Sequence, residues 1–457
     1  MTARVLKCAL MRLYRMVVRL LRLAMSVFFR QVSVVGLENI PAHGAVIFAG
    51  NHPNSLLDPV LIVTTCVRPV HFAAKDVLFQ SRVLRPILDA LGCVPVARRV
   101  EHGDGADNSA AFSALQDALR SGGAMGIFPE GISHHGAELS RLKTGAARIA
   151  LGTVETDAAQ TISIVPCGLT YVHRKRFRSR VLVQYGPPII VDSSSYPGPE
   201  GPRTLTTEIE QGMRALTINA PDWETVRVLD AVRRLYQPPS ISLADRVELA
   251  RRFTAHWAPL REVPEIRGLF ERVLLFLDRL EVAGLTDRDL RSAHPTPQWR
   301  RVLLNLWLIL VWLPLGAPGL VLHLPLGLLA SWGAHRLTPR KDVLGTTKLL
   351  LGLGVILLLY VALVATAAVI YGWPGGLLVA VLLPASGYAT LRVLERGGSL
   401  WRLATKGWRS VRLGDELAAL RAEADQLERA VVDIVSKHRP AELDLMFPRE
   451  PAVEANT

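Results

Sequence analysis

The chain has 457 residues, half of them hydrophobic, and a formal net charge of +13. This length allows two or three structural units with a large core, and the scattered cysteines Cys8, Cys66, Cys93 and Cys167 exclude a regularly spaced disulfide framework or metal site. The positive charge would suit nucleic acid, but no zinc spacing, helix-turn-helix pattern or stacking-aromatic motif accompanies it, so anionic lipid and phosphorylated substrates are the preferred partners.

Residues 4–29 predict an amphipathic helix rather than a cleavable signal peptide, because their basic residues recur at helical spacing through the whole stretch. The arginines and lysine share one face, and the leucines and valines lie largely elsewhere. Such a helix suits the membrane surface, with its apolar side in the acyl boundary and its arginines among the headgroups. The alternative is a surface helix packed on the following domain. We therefore expect residues 1–30 to form an interfacial helix.

Strand-like and helix-like stretches alternate through residues 31–220. The strand-like runs are 45–50, 69–74, 124–128, 162–169 and 181–185, and the helix-like runs are 81–91, 108–121, 144–153 and 203–217. This alternation predicts a two-layer α/β domain with a mixed, mostly parallel sheet. Residues 221–300 are amphipathic and helical, and they predict a helical satellite without a second sheet.

Residues 301–398 predict a membrane region. The runs 349–371 and 377–394 are each long enough to cross a hydrocarbon core of about 30 Å, with a turn rich in glycine between them. The earlier run, 302–334, has two prolines and two glycines at its middle, and each half is too short to span. We therefore predict a re-entrant hairpin at 302–334, with one long kinked helix as the alternative.

Basic clusters flank these apolar runs. They lie at 300–301, 336–348 and 396–412. The positive-inside rule assigns all three clusters to the cytoplasmic side, which requires that the first run re-enters and that the next two form a hairpin. Residues 399–457 are then predicted to be a cytoplasmic C-terminal helix and tail.

Two short segments carry groups suited to acid–base chemistry. His52 and Asp58 follow the apolar run 45–49, and Glu130 follows the run 124–128. Loops at the end of strands are where catalytic groups concentrate, so these side chains are expected at one edge of the sheet. An imidazole beside a carboxylate can take a proton from an alcohol near neutral pH. Taken alone, however, a His and an Asp at this spacing more often indicate a structural loop histidine than a catalytic one.

The surrounding sequence is more specific, because four blocks occur in a characteristic order. They are Gly50-Asn51-His52 to Asp58-Pro59, then Ala74-Lys75-Asp76-Val77-Leu78-Phe79 with Gly92 to Arg99, then Phe128-Pro129-Glu130-Gly131 with Leu142-Lys143-Thr144-Gly145, and Ile164-Val165-Pro166-Cys167-Gly168-Leu169. Together they resemble the glycerolipid acyltransferases, which acylate glycerol 3-phosphate and lysophosphatidate from acyl-CoA or acyl-carrier protein. The resemblance covers roughly residues 35–190.

Two departures from the commonest family pattern point to one branch. Five residues rather than four separate His52 from Asp58, and Ile-Ser-His follows Gly131 where many members carry Thr-Arg-Ser. Further segments resemble the fungal-type branch, which acylates glycerol 3-phosphate and dihydroxyacetone phosphate and carries membrane segments toward its C-terminus. These segments are 171–180, 185–189, 232–238 and 284–287.

The resemblance implies roles for the matched residues. His52 would deprotonate the acceptor hydroxyl, and Asp58 would orient the ring and stabilise its charge. Glu130 would position the acceptor, and Gly131 would leave room for close approach of the backbone to the ligand. No metal and no cofactor is expected, with acyl-CoA or acyl-carrier protein as co-substrate.

Several basic residues are candidates for substrate binding. Arg98 matches the motif arginine proposed to meet the acceptor phosphate, for which a forked guanidinium is well suited. Lys75 and Lys143 are further candidates. Arg178 belongs to the basic run 173–180, which binds the acceptor phosphate, the CoA phosphates or anionic headgroups, or else is simply a solvated face.

The sequence therefore predicts a membrane-bound O-acyltransferase that moves a fatty acyl group to the sn-1 hydroxyl of glycerol 3-phosphate, or to dihydroxyacetone phosphate, in phospholipid synthesis. The alternative acceptors are lysophosphatidate or another lysophospholipid. A catalytically silent membrane scaffold is disfavoured because His52, Asp58 and Glu130 are all present. The expected partners are the acceptor, acyl-CoA and a bilayer with anionic headgroups, and not nucleic acid. We expect the catalytic domain on the cytoplasmic face, of a bacterial membrane rather than the endoplasmic reticulum.

Overall fold

The computed structural model describes residues 3–82, 84–96, 108–238, 241–285, 290 and 298–438. The chain forms two compact units. Unit 1 comprises residues 1–226, 242–256 and 340–346, and unit 2 comprises residues 227–241, 257–339 and 347–457. The predicted acyltransferase domain lies within unit 1, which also includes two short segments from much later in the chain. The sequence analysis had assigned those segments to the satellite and to the membrane region.

One eight-stranded sheet forms the centre of unit 1. Its strands are β1 Phe29–Val35, β2 Ala45–Gly50, β3 Val70–Lys75, β4 Val94–Val96, β5 Ala124–Ile127, β6 Ile162–Tyr171, β7 Ser179–Tyr185 and β8 Ile189–Val191. The order is β1-β7-β6-β2-β5-β3-β4, and β8 also pairs with β6. β6 runs antiparallel to β7 and β8, and the other described pairings are parallel. The predicted mixed, mostly parallel sheet is confirmed, although β1, β4 and β8 were not predicted.

Helices pack on both faces of this sheet. In chain order, the helices formed by the described residues are α1 Ala3–Phe28, α2 Leu57–Thr65, α3 Leu84–Ala90, α4 Ser109–Arg120, α5 Gly145–Thr156, α6 Gly201–Arg214, α7 Trp223–Tyr236, α8 Leu243–Ala255, α9 Trp257–Leu260, α10 Pro264–Val282, α11 Gln298–Leu337 and α12 Leu344–His438. On one face, Ile47 and Met125 pack in a core with α4, α5 and α6. On the other face, Phe48 contacts Tyr185, whose hydroxyl hydrogen-bonds Thr65 of α2. Helix α2 was not predicted from the sequence, and its N-terminus carries the Asp58 of the first block.

Helix α1 divides its surface into three stripes. The first, with Tyr14, Val18, Met25 and Phe28, is buried against unit 1. The arginines form a second stripe, and a third exposes large apolar side chains to solvent. That third stripe consists of Leu13, Met16, Leu20, Leu23 and Val27, with exposed fractions of 39 to 62%. The helix is therefore packed on the domain and still presents an apolar face, so the two interpretations of the sequence are compatible.

The predicted re-entrant hairpin at 302–334 is wrong, because α11 is a continuous helix of 40 residues from Gln298 to Leu337. Prolines remove single hydrogen bonds and bend a helix but need not end it. The glycines instead allow close packing on α12. A Cβ on Gly319 would lie 2.5 Å from the carbonyl oxygen of Ser386, and Thr390 Oγ1 donates to the carbonyl oxygen of Gly316.

Helix α12 is interrupted at Gly372 and Gly414, where the backbone leaves helical geometry. The Tyr360 hydroxyl donates to the carbonyl oxygen of Leu383 at 3.0 Å, so the chain doubles back around Gly372, within the predicted turn. Within the described part of the chain, two stretches are long and apolar enough to cross a membrane, Trp299–Leu337 and Leu344–Thr405. These stretches expose many large apolar side chains, as lipid-facing helices do.

The part of α12 after Gly414 packs on the helical satellite. Its leucines Leu417, Leu420 and Leu427 are buried. Arg279 of α10 pairs with Glu423, and Lys437 Nζ lies 2.8 Å from Glu265 Oε2 at the start of α10. The two helices therefore run antiparallel within unit 2.

Candidate active site

A short loop between β2 and α2 presents the predicted histidine and aspartate to each other. His52 Nδ1 lies 2.8 Å from Asp58 Oδ2, with Asp58 fully buried and the His52 side chain 12% exposed. The additional residue between them is accommodated because Ser55 adopts a left-handed conformation, with φ of 50°. The backbone N–H of Asn54 then donates to the same Asp58 oxygen at 2.7 Å. The His–Asp contact is thus present despite the unusual spacing.

The second oxygen of Asp58 is held from β6. The Tyr171 hydroxyl donates to Asp58 Oδ1 at 2.5 Å, and both side chains are buried. Burial, followed by the charge of Asp58 and the hydrogen bond to it, raises the pKa of Tyr171 well above its usual range, so the hydroxyl remains a donor. Sequence reasoning did not assign Tyr171 to the site. Its place at the end of a strand beside β2 was the available indication.

Glu130 joins the loop after β2, which contains His52, to the loop after β5, and we call these two segments the catalytic loops. Its carboxylate accepts from the backbone N–H of His52 at 2.7 Å and from that of Ser140 at 3.0 Å, and it pairs with His134 Nε2. The backbone N–H of His134 in turn donates to the carbonyl oxygen of His52. With 3% exposure, Glu130 has its hydrogen-bonding capacity committed to protein groups. Its observed contacts therefore fix the backbone position of His52.

The His52 ring is held in one plane. It stacks on Phe128 with centroids 4.1 Å apart and an interplanar angle of 6°. Asn51 fixes the start of the loop by accepting from the Leu169 N–H at 2.7 Å and donating to its carbonyl oxygen at 3.2 Å. With Nδ1 bound to Asp58 and the ring in place, Nε2 is left to face a ligand, and no described residue hydrogen-bonds to it. This arrangement suits a general base.

The other predicted site residues occupy different positions. Gly131 has a φ of 72°, and a Cβ there would lie 2.6 Å from Lys143 Nζ, which places the lysine directly against the glycine. Lys75 ends β3 at the same edge of the sheet as Glu130. Arg98 lies outside the described residues, as do Thr286 and Asp287. Among the residues that are described, no group of three or more His, Cys, Asp or Glu side chains is arranged to hold a metal ion.

Arg178 binds backbone carbonyl groups where α1 meets β1. Its φ is 59°, and its backbone N–H donates to the carbonyl oxygen of Phe28. Its Nη1 donates to the carbonyl oxygen of Phe29, the first residue of β1, and to those of Ser26 and Val27 in the last turn of α1. The carbonyl groups of this last turn are those that a helix leaves unpaired at its C-terminus. In the described contacts, this guanidinium therefore caps α1.

Residues 340–346, between α11 and the body of α12, pack directly on the catalytic loops. Ser133 Oγ donates to Asp342 Oδ2 at 2.5 Å, and Arg340 Nη2 donates to the Ser133 carbonyl oxygen at 3.1 Å. Thr346 Oγ1 donates to the carbonyl oxygen of Asn54 at 3.2 Å. The sequence analysis predicted only a loop between membrane helices at this segment, and the structure shows that it contacts both catalytic loops.

Two family models match this chain. Residues 31–170 match the acyltransferase family model, and residues 228–443 match the glycerol-3-phosphate acyltransferase 2 C-terminal domain. The first match contains both catalytic loops, and the second contains the long apolar helices.

Individual relatives point the same way. Glycerol-3-phosphate O-acyltransferase 2 of Saccharomyces cerevisiae is 37% identical over 42% of this chain and 26% of its own, and glycerol-3-phosphate O-acyltransferase 1 of the same yeast is 29% identical over 56% and 37%. The 1-acyl-sn-glycerol-3-phosphate acyltransferase of Borreliella burgdorferi is 32% identical over 27% and 47%. The chain thus spans about a quarter to a half of the length of these relatives. The resemblance to glycerolipid acyltransferases, and to the fungal-type glycerol-3-phosphate branch, is confirmed.

Proposed function

We propose that this chain is a membrane-bound O-acyltransferase that transfers a fatty acyl group from a thioester to the sn-1 hydroxyl of glycerol 3-phosphate. The observation that carries the proposal is the His52–Asp58 pair, with its remaining ring nitrogen unengaged by the described residues and its backbone fixed by Glu130. The same pair, at the corresponding place in the family motif, is what the resemblance implies for catalysis.

The geometry supports a direct transfer. His52 Nε2 takes the proton of the acceptor hydroxyl as its oxygen attacks the thioester carbonyl. The new C–O ester bond forms as the C–S bond breaks, and the departing thiolate recovers the proton from the imidazolium. Asp58 stabilises that transient imidazolium and fixes the tautomer in which Nδ1 carries the hydrogen. General-base assistance of this kind typically contributes about 10²–10⁴-fold to the rate.

Glycerol 3-phosphate is the preferred acceptor because the yeast relatives named for that acceptor match a larger part of the chain than the bacterial relatives named for 1-acylglycerol 3-phosphate. The match of residues 228–443 to a C-terminal domain of that branch supports the same choice. Dihydroxyacetone phosphate has a hydroxyl and a phosphate at similar spacing and would fit the same site. Lysophosphatidate is the second candidate, because two bacterial relatives are named as 1-acyl-sn-glycerol-3-phosphate acyltransferases.

The proposed location is the cytoplasmic face of a membrane, where acyl-CoA or acyl-carrier protein is available. The exposed apolar stripe of α1, beside its arginine stripe, would lie in the headgroup region. Residues 340–346 belong to the same unit as the catalytic loops, which supports placing the 335–348 loop on the same side of the bilayer as those loops. The relatives come from both yeasts and bacteria. Labelling of the 335–348 loop in sealed vesicles tests the sidedness, and an external loop would contradict it.

An acceptor panel tests the activity. Purified protein is given labelled acyl-CoA with glycerol 3-phosphate, dihydroxyacetone phosphate, lysophosphatidate or lysophosphatidylcholine, and the labelled lipid is separated and counted. We expect the highest kcat/KM with glycerol 3-phosphate. His52→Ala provides the catalytic blank, and His43→Ala, at an exposed histidine, is the matched control. A preference for lysophosphatidate would select the second candidate, and product at the parental rate from a folded His52→Ala protein would refute the mechanism.

A further inference from the structure

Trp223, at the start of α7, brings two basic side chains together beside the catalytic loops. The guanidinium carbon of Arg174 lies 5.1 Å from the centre of its ring, and the His135 ring stacks on it with centroids 5.0 Å apart. Trp223 Nε1 donates to the His135 carbonyl oxygen at 3.0 Å and so fixes the three side chains as a group. We call Arg174, His135 and Trp223 the tryptophan cluster.

The tryptophan cluster contains two buried nitrogens that no described group satisfies. They are Arg174 Nη1 and His135 Nδ1. Buried polar atoms are nearly always hydrogen-bonded, and an unpaired buried guanidinium nitrogen is especially costly. A ligand that brings an acceptor oxygen to this position would remove the cost. For a guanidinium, the ligand group of matching charge and geometry is a carboxylate or a phosphate.

The electrostatic surroundings favour an anion at this place. Burial lowers the pKa of Arg174, and the charges of Asp58, Tyr171 and Glu130 oppose that change, so the guanidinium is within electrostatic reach of the catalytic carboxylates. Burial also lowers the pKa of His135, as do the positive charges of Arg174, Lys175 and Lys341, while Asp342 acts in the opposite direction. A divalent anion would offset this crowding of positive charge.

The residues 340–346 fix this arrangement from the other side. The Arg174 carbonyl oxygen accepts from Asn54 Nδ2 at 3.2 Å, and a Cβ on Gly345 would approach that same carbonyl oxygen to 3.2 Å. Asp342 already accepts from Ser133 and Arg340, so hydrogen bonds from the protein occupy it. Lys341, which lies between Arg340 and Asp342 in the sequence, is exposed, and its positive charge acts on His135.

We infer that Arg174, with Lys341 and His135 in support, binds the phosphate group of the acceptor. This inference rests on the proposed function, since it needs an acceptor that carries a phosphate. The guanidinium comes from the loop between β6 and β7. Arg178, four residues later, is occupied at the end of α1.

Substitution of Arg174 tests the assignment against the CoA phosphates as the alternative ligand. We expect Arg174→Gln to raise the KM for glycerol 3-phosphate by about 10- to 100-fold, the usual range for a lost charge-assisted hydrogen bond, with little change in the KM for acyl-CoA. Competitive inhibition by inorganic phosphate against glycerol 3-phosphate should weaken to a similar extent. Arg176→Gln, exposed on the same loop, is the matched control and should leave both constants unchanged.

Further variants keep the test decisive if Arg174→Gln does not fold. Arg174→Lys retains the charge and should recover part of the acceptor affinity, and Lys341→Gln should raise the acceptor KM by about threefold to tenfold. Unchanged acceptor KM in all folded variants, or a rise confined to acyl-CoA, would overturn the inference while leaving the acyltransferase proposal intact. If the unaltered protein has no activity toward any phosphorylated acceptor, the proposed function itself fails.

Discussion

Unit 1 and unit 2 differ in which side chains they bury. In unit 1 the relevant region is the sheet edge that carries His52, Asp58 and Glu130, which we call the catalytic edge, and in unit 2 it is the long helices. At the catalytic edge the polar groups are buried and mutually satisfied, as with Asp58, which accepts from His52, Asn54 and Tyr171. Along α11 and α12 the large apolar groups are exposed, with Leu358 at 73% and Trp373 at 76%. Burying polar groups and exposing large apolar groups to water both cost free energy. A catalytic role explains the first arrangement, and contact with lipid explains the second. The buried polar groups of unit 1 therefore indicate an active site, and the exposed apolar groups of α11 and α12 indicate that lipid surrounds these helices.

Asp58 gives the largest expected effect, because the catalytic edge depends on one buried carboxylate. In Asp58→Asn the amide no longer stabilises an imidazolium, and it favours the wrong tautomer of His52. We expect kcat to fall by about 10²- to 10⁴-fold with smaller changes in KM. Steady-state kinetics on detergent-purified protein measures this. Asp89→Asn, at an exposed residue of α3, is the control, and a fall of less than fivefold in Asp58→Asn would contradict the role.

Gly345 gives the next effect, at the place where the two regions are joined along the chain. A Cβ at Gly345 would lie 2.8 Å from Asn54 Oδ1 and 3.1 Å from Leu57, so Gly345→Ala must displace the His52 loop or the 340–346 segment. Misplacement of a catalytic group by a fraction of an ångström should reduce kcat by roughly tenfold. Gly354→Ala, also in α12, meets no atom within 4 Å and should be neutral. Equal activity of the two variants would show that the contact has no catalytic importance.

A comparison of Tyr171→Phe with Tyr185→Phe distinguishes a loss of stability from a loss of catalysis. Tyr171→Phe removes the hydrogen bond to Asp58 Oδ1 and leaves a buried carboxylate oxygen without it. We expect a loss of about 1–3 kcal/mol in unfolding free energy and a fall in kcat of about tenfold. Tyr185→Phe is the control, because it removes a buried hydroxyl that bonds Thr65 at the other end of α2. It should lower the melting temperature with kcat preserved, and equal losses of kcat in the two variants would refute a role specific to Tyr171.

The two regions also differ in what their sequences disclose. The blocks around His52 and Glu130 predicted the correct sheet edge because a motif specifies both residue types and spacing. Tyr171 was not assigned, because its contact with Asp58 depends on how β6 pairs with β2 rather than on a local pattern, and Arg174 was not singled out from the basic run 173–180. In α11, Pro314 and Gly316 predicted a break that is absent, because hydropathy contains no information about the helix packed alongside. Residues 340–346 were assigned to a loop for the same reason.

The apolar stripe of α1 gives the smallest expected effect and tests whether lipid reaches the catalytic unit itself. Deletion of α1 would be ambiguous, because Tyr14 and Phe28 are buried and Arg178 binds the carbonyl groups at its end. The double substitution Leu20→Ser and Leu23→Ser changes only side chains that are 60% and 62% exposed. In vesicles with anionic lipid we expect a fall of about two- to fivefold with palmitoyl-CoA and none with a short, soluble acyl-CoA.

Val67→Ser, at a residue of unit 1 that is 72% exposed and outside the stripe, provides the comparison for α1. Loss of apolar surface there should leave both activities unchanged, since the residue is not on the face that we assign to the headgroup region. If Val67→Ser reduces the palmitoyl-CoA activity as much as the double substitution, general surface hydrophobicity accounts for the effect. If neither does, α11 and α12 alone would bring the enzyme to its lipid, and α1 would serve only to brace the sheet. The difference between the two acyl chains is therefore the measurement that distinguishes a membrane-seated catalytic domain from a tethered one.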